Sequence, residues 1–142
     1  MRTLTLITFI SWFIGTAWCG PQLILSHPRY PFNQKDTYFV ICEKECAVKI
    51  TSMDPFTGST ALPLLEEKIR ALILETEKKM FPAFSGGPRY LYDIQMKEGP
   101  KEFRFKVGYP RSYRGLEYAK FNALIERIEE IKFIMRKSEK TP

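Results

Sequence analysis

The chain has very little histidine: His27 is the only one among 142 residues. A Ser-His-Asp or Cys-His arrangement needs a histidine base, and most zinc sites use imidazole or several cysteines. His27 lies in a segment that also holds Pro21, Pro28 and Pro31, so we expect an exposed loop histidine rather than a catalytic one. The sequence therefore predicts no metal and no cofactor, and it favours a protein that is not an enzyme.

Carboxylate pairs are the remaining candidates for acid–base chemistry. The pairs at residues 66–67 and 129–130 are adjacent on predicted helices, so their side chains diverge and favour a solvated surface. Asp54 and Asp93 could act together only if the fold brings them into one cleft. A small secreted hydrolase that uses carboxylates is therefore kept as an alternative.

Charge is missing from the N-terminal stretch, where Arg2 is the only charged residue before Arg29. One positive charge, an apolar run and then small residues are typical of a secretory signal peptide. The run over residues 3–18 is shorter than the roughly 20 residues that a membrane-spanning helix needs. We predict that residues 1–19 are a cleaved signal peptide and that the protein is secreted or periplasmic.

Three alternatives remain for this stretch. Cleavage before Trp18 fits the small-residue rule as well as cleavage before Gly20, although the second leaves a polar, turn-prone new end. Cys19 could carry a lipid, but the bulky residue before it disfavours that processing. Retention without cleavage would make residues 3–18 a membrane anchor and the protein an accessory subunit.

The charge balance points to anionic partners. The whole chain has a net charge of +6 and a pI near 9.3, and removal of residues 1–19 takes away only Arg2, which leaves 123 residues and +5. A basic exported protein meets acidic proteins and anionic envelope surfaces. Nucleic acid is not favoured outside the cytoplasm, and the oligomeric state is left open.

Cysteine is also scarce, and cleavage after Cys19 leaves only Cys42 and Cys46. Both flank the short segment 43–45, between two stretches rich in β-branched and aromatic residues. A three-residue hairpin loop places the two cysteines opposite each other, within disulfide reach. In one continuous strand their Cα atoms would be about 13 Å apart, too far to bond. We therefore predict a Cys42–Cys46 disulfide in a hairpin.

The remaining pattern predicts an α+β fold. We divide the chain into a signal peptide (1–19), a proline-rich lead segment (20–36) with a short edge strand at 22–26, a single domain (37–137) and a frayed tail (138–142). Within the domain we predict a hairpin at 37–51, a connector at 52–60, a helix at 61–80, a second hairpin at 89–109, a loop at 110–115 and a helix at 116–137. An antiparallel sheet built from two hairpins, with two helices on one face in the order ββαββα, is a two-layer sandwich.

The second hairpin carries the candidate binding surface. Its two strands alternate between apolar and charged residues, so the charged side chains should share the outward face. The following loop mixes tyrosine with arginine, a combination that suits phosphate or carboxylate groups. The predicted binding residues are Arg89, Lys97, Arg104, Lys106, Arg111, Tyr113 and Arg114. The alternative interpretation is a solvated sheet face whose charges discourage edge-to-edge aggregation.

Overall fold

A computed structural model describes residues 20–29, 34–60, 63–81 and 89–139. The strands are β1 (Gln22–Arg29), β2 (Gln34–Cys42), β3 (Cys46–Thr51), β4 (Phe56–Thr60), β5 (Tyr92–Glu98) and β6 (Lys101–Val107), and the helices are α1 (Pro63–Glu77) and α2 (Leu116–Ser138). The strands form one sheet in the order β4-β3-β2-β1-β5-β6, and all neighbours are antiparallel. The predicted α+β class is confirmed. The predicted signal peptide lies outside the described residues.

Alternating side chains give the sheet one apolar face. In β3, for example, Cys46, Val48 and Ile50 are buried, whereas the residues between them are exposed. Both helices contribute to the same core. The helix residues in it are Leu65, Ile69, Leu72 and Ile73 of α1, and Phe121, Leu124, Ile128, Ile131, Ile134 and Met135 of α2. Each fully buried Leu or Ile contributes about 1.5–3 kcal/mol relative to exposure, so this one-sided core is the main support of the fold.

Both helices lie where the apolar periodicity predicts them, with differences at their ends. α1 ends at Glu77, because Lys79 adopts a left-handed backbone with φ of 54°. Met80, predicted to continue the buried stripe, is therefore exposed. In α2, Tyr118 is also exposed instead of buried, whereas Phe133 lies off the buried stripe as expected. Neither helix in the described part of the chain is long and apolar enough to cross a membrane.

The first hairpin forms as predicted. Cys42 and Cys46 are paired in the β2–β3 register, form a disulfide and have Cα atoms 4.0 Å apart. The three-residue loop is closed by the Glu43 N–H, which donates to the Glu45 carbonyl at 3.1 Å. The disulfide thus fixes the end of a hairpin that backbone pairing already holds together.

The prediction of a short edge strand at residues 22–26 is wrong in both length and position. β1 runs to Arg29 and lies at the centre of the sheet, between β2 and β5. Leu23 and Leu25 are fully buried in the core. Pro28 is tolerated because the pairing with β5 extends only to Ser26, so no partner on that side needs the N–H that proline lacks. Because of its prolines, this segment was predicted to be mostly loop, although it contains a central strand.

The connector predicted at residues 52–60 also contains a strand, β4, which pairs with β3 along the outer edge of the sheet. Gly58 interrupts the usual strand composition. A Cβ at Gly58 would lie 2.7 Å from Cζ of the Phe56 ring, so the ring occupies the space that a larger residue would need. Glycine in strands commonly marks such a close approach.

Candidate functional site

The second hairpin positions most of the predicted binding residues. β5 and β6 are antiparallel, as predicted, and are joined by Gly99-Pro100. The register places Asp93 opposite Lys106, Gln95 opposite Arg104, and Lys97 opposite Glu102. These six residues alternate with the core-facing residues, so they share the open face of the sheet, opposite the helices. The basic residues Lys97, Arg104 and Lys106 are therefore together on one face.

Arg104 is held in place by two neighbours on β5. Its guanidinium lies 3.8 Å from the Asp93 carboxylate, which is largely buried. The Gln95 side-chain amide is oriented with its oxygen toward Arg104, and this oxygen accepts from Arg104 Nε at 3.1 Å. Asp93 and Glu102 offset part of the positive charge on this face, so its field is mixed rather than uniformly positive.

Lys106 links the sheet to the segment before β5. Its Nζ lies 4.6 Å from the centre of the Tyr90 ring, a cation–π contact. Arg89, the neighbour of Tyr90 in the chain, lines an open depression of about 430 Å³ together with Tyr109, Pro110 and Arg111. Tyr109, predicted to face inward, is partly exposed at this depression. Lys106 of the sheet thus contacts the segment at residues 89–90, and Arg89 of that segment lies beside Arg111 of the loop.

The side chain of Tyr113 contacts residues on both sides of its loop. The Gly108 N–H donates to the Tyr113 hydroxyl at 3.1 Å, and the ring stacks on Phe121 of α2 with centroids 5.0 Å apart. Burial raises the pKa of the Tyr113 hydroxyl, the Gly108 N–H opposes that rise, and the charge of Glu117 adds to it. We therefore assign Tyr113 a role in positioning the loop. The mixture of tyrosine and arginine in this loop had placed it among the binding residues, and that role stays a prediction.

Arg114 completes the loop beside the first turn of α2. Gly115 precedes the helix with φ of 58°, a conformation that glycine adopts without strain. Within the described residues, no carboxylate lies within 4.0 Å of Lys97, Arg111 or Arg114. We define the basic surface as Arg89, Lys97, Arg104, Lys106, Arg111 and Arg114.

A polar cluster between the sheet and α2 was not predicted. The Tyr92 hydroxyl donates to Glu129 Oε1 at 2.7 Å and accepts from Lys132 Nζ at 3.0 Å. His27 is half-buried in β1, so its predicted loop position is wrong. Its Nδ1 lies 2.7 Å from the Leu91 carbonyl, and its ring lies 5.1 Å from that of Tyr92. The 92–129 and 92–132 pairings are too distant in sequence for a local pattern to reveal.

The pKa values in this cluster follow from burial and hydrogen bonding. Burial, followed by the hydrogen bond to Glu129, raises the pKa of Tyr92 to about 12. Burial alone would raise the pKa of Glu129 and lower that of Lys132. Their hydrogen bonds and mutual attraction outweigh burial, so the pKa of Glu129 is lowered and that of Lys132 is raised. Tyr92 thus stays neutral between two charged groups.

The hydrolase alternative needs a carboxylate general acid, and the two adjacent glutamates of α2 do not fit that role. The pKa of Glu129 and that of Glu130 are both lowered; for Glu130 the first cause is the hydrogen bond from Lys68. A carboxylate general acid needs a raised pKa. Across residues 20–29, 34–60, 63–81 and 89–139, no group of three His, Cys, Asp or Glu side chains could hold a metal ion.

Comparison of the chain with protein-family models, with curated proteins and with solved structures finds no match.

Proposed function

We propose that this chain is a small exported binding protein that uses the basic surface, without catalysis, to hold an anionic partner. One observation carries the proposal: Lys106 of the sheet contacts Tyr90, and the preceding residue, Arg89, lines a depression together with Arg111 of the loop. Guanidinium groups bind carboxylates and phosphates through two parallel hydrogen bonds, which gives geometric specificity as well as attraction. The exposed ring of Tyr109 adds apolar area beside these charges.

Export is part of the same proposal and has two supports. The N-terminal run has the composition of a signal peptide, and the Cys42–Cys46 disulfide is typical of proteins that fold in an oxidising compartment. A binding protein in that compartment meets acidic proteins and anionic envelope polymers or lipids.

The test is a change of charge on the basic surface. Arg111→Glu, Arg114→Glu and Lys106→Gln together change the net charge by −5 and leave the Arg104–Asp93 pair intact. Three lost contacts of about 0.5–1 kcal/mol each weaken binding by roughly tenfold or more. We expect earlier elution from heparin and weaker binding to vesicles that contain phosphatidylglycerol, with both interactions sensitive to salt.

The matched control makes the same change in net charge elsewhere. Lys35→Glu, Lys44→Glu and Lys78→Gln alter exposed cations on β2, on the first hairpin loop and after α1. This variant should bind nearly as the wild type does. Equal losses in both variants would show that net charge alone drives binding, and binding that is insensitive to salt and to both variants would contradict the proposal. Circular dichroism checks that each variant is folded.

A further inference from the structure

We infer that the partner of the basic surface is an extended acidic peptide segment of another protein, which adds to the outer edge of β6 as a seventh strand. This inference rests on the proposed function and narrows its partner. β6 is the last strand of the sheet, and within the described residues no strand pairs with its outer edge. An edge strand offers a row of free backbone N–H and C=O groups to an added strand.

The turn before β6 determines which backbone groups point outward. Gly99 has φ of 57° and is followed by Pro100, so the two-residue turn fits type II′, which is common in hairpins. In such a hairpin the flanking residues, Glu98 and Lys101, form a hydrogen-bonded pair, and the hydrogen-bonding direction then alternates along each strand. The backbone groups of Glu102, Arg104 and Lys106 therefore point away from β5, toward the open edge.

The same residues determine the chemistry of the partner. Glu102, Arg104 and Lys106 have their side chains on the open face, whereas Phe103 and Phe105 pack against the core. In an added strand, every second side chain would therefore lie beside the cations. The side chains between them would lie on the side of the two phenylalanines. Alternating acidic and apolar residues fit this edge.

Charge also decides against a second copy of the chain as the occupant. β6 carries three basic residues and one acidic residue, a net charge of +2. Two such strands side by side repel overall, whereas an acidic strand is attracted. The charges that would oppose self-pairing thus select a partner of opposite sign.

The experiment uses the full-length mature protein and a seven-residue peptide of alternating Glu and Val, as long as β6. Glu102→Pro removes an outward N–H together with a negative charge, and Glu102→Gln removes the same charge but keeps the N–H. If charge alone held the peptide, both variants would bind it as tightly as the wild type or more tightly. Strand addition predicts that Glu102→Pro binds roughly three- to tenfold more weakly than Glu102→Gln, because one backbone hydrogen bond is lost.

Two modified peptides give an independent check at constant charge. One is N-methylated at the Glu amides and the other at the Val amides. Because only one edge of a strand faces β6, one of these peptides should lose binding and the other should retain it. Equal affinities for both peptides, together with equal affinities of the two Glu102 variants, would overturn strand addition.

Hydrogen exchange reads out the pairing directly. The bound peptide should protect the amides of Glu102, Arg104 and Lys106, while those of Phe103 and Phe105 are already protected by β5. Loss of heparin binding in the charge-changed variant but no binding of the peptide would overturn the strand proposal and keep the anionic surface. Failure of the wild type to bind heparin, anionic vesicles or the peptide would overturn both. A dimer that buries β6 in the absence of peptide would show that a second copy is the occupant.

Discussion

The Tyr92 hydroxyl is the most constrained polar group of the cluster between the sheet and α2. It is a donor to Glu129 and an acceptor from Lys132, while the ammonium of Lys132 also lies 5.4 Å from the centres of the Tyr92 and Tyr38 rings. Removal of the hydroxyl would leave the Glu129–Lys132 ion pair at 2.9 Å but would take one hydrogen-bond partner from each of the two charged groups. A partly buried hydrogen bond to a charged group contributes about 1.5–3 kcal/mol.

We predict that Tyr92→Phe lowers the free energy of unfolding by about 1–2 kcal/mol near neutral pH. It should also alter the alkaline limb of the stability curve. The pKa of Tyr92 is raised from 10.0 to about 12 on folding, so its contribution is present below pH 10 and is lost as the pH rises from 10 through 12. The variant should lack this part of the loss. Urea unfolding over a pH series measures both effects.

Tyr118→Phe is the matched control, because Tyr118 is exposed and its hydroxyl has no hydrogen-bond partner among the described residues. It should leave stability nearly unchanged.

The acid limb gives a second check. The pKa of Glu129 is lowered on folding, so its ionised form stabilises the folded state. This stabilisation is lost as the pH falls below the usual carboxylate range. A Tyr92→Phe profile parallel to that of the wild type at alkaline pH would contradict the assignment.

At the scale of elements, the first hairpin combines backbone pairing with a covalent bond. The disulfide closes a loop of only three residues, and such short loops gain little from restriction of the unfolded chain. The β2–β3 ladder extends from Thr37–Thr51 to Cys42–Cys46, so the hairpin does not depend on the bond for its register.

We therefore predict that the double variant Cys42→Ala, Cys46→Ala folds with the same secondary structure. It should lose at most about 2 kcal/mol of unfolding free energy, the low end of the usual disulfide contribution. Urea unfolding of the double variant, alongside wild type under oxidising and reducing conditions, measures the difference. A chain that fails to fold without the bond would show that the disulfide, and not the ladder, holds this end of the sheet.

Elements with a strong local period could be predicted from the sequence, whereas elements defined by distant partners could not. The apolar–charged alternation of β5 and β6 is visible along the chain, and it also correctly placed Lys97, Arg104 and Lys106 on one face. The central position of β1 was not predicted. Its sequence is a short apolar run among prolines, and its pairing with β5 is with a segment distant in the chain. β4 was missed because Gly58 interrupts its pattern.

The candidate site divides in the same way. The sheet cations follow from period-two alternation, but the loop after β6 has no period that orients its side chains. Tyr109 was therefore given the wrong direction, because it is exposed instead of facing inward. The stacking of Tyr113 on Phe121 was not predicted either. The Tyr92 cluster depends on α2 crossing the sheet, which no local pattern specifies.

At the scale of the whole molecule, processing and disulfide formation should be linked. We predict that the native protein recovered outside the cytoplasm begins at Gly20 and that its intact mass is about 2 Da below that of the reduced chain, because one disulfide forms. N-terminal sequencing with intact mass measures both. A start at Trp18, a lipid on Cys19 or an uncleaved chain would contradict the prediction, since each retains Cys19.

β1 also determines the order in which the sheet can assemble. It is the only described strand that joins β2, β3 and β4 to the β5–β6 hairpin. The other strand pairs connect neighbours in the chain through short segments, whereas pairing of Ser26 with Asp93 closes a loop of more than sixty residues. Because loop-closure entropy increases with length and distant contacts slow folding, we expect the pairing of β1 with β5 to be the slow step of folding. We therefore expect β1, although it is first in the chain order of the strands, to be among the last to pair with both of its neighbours, β2 and β5.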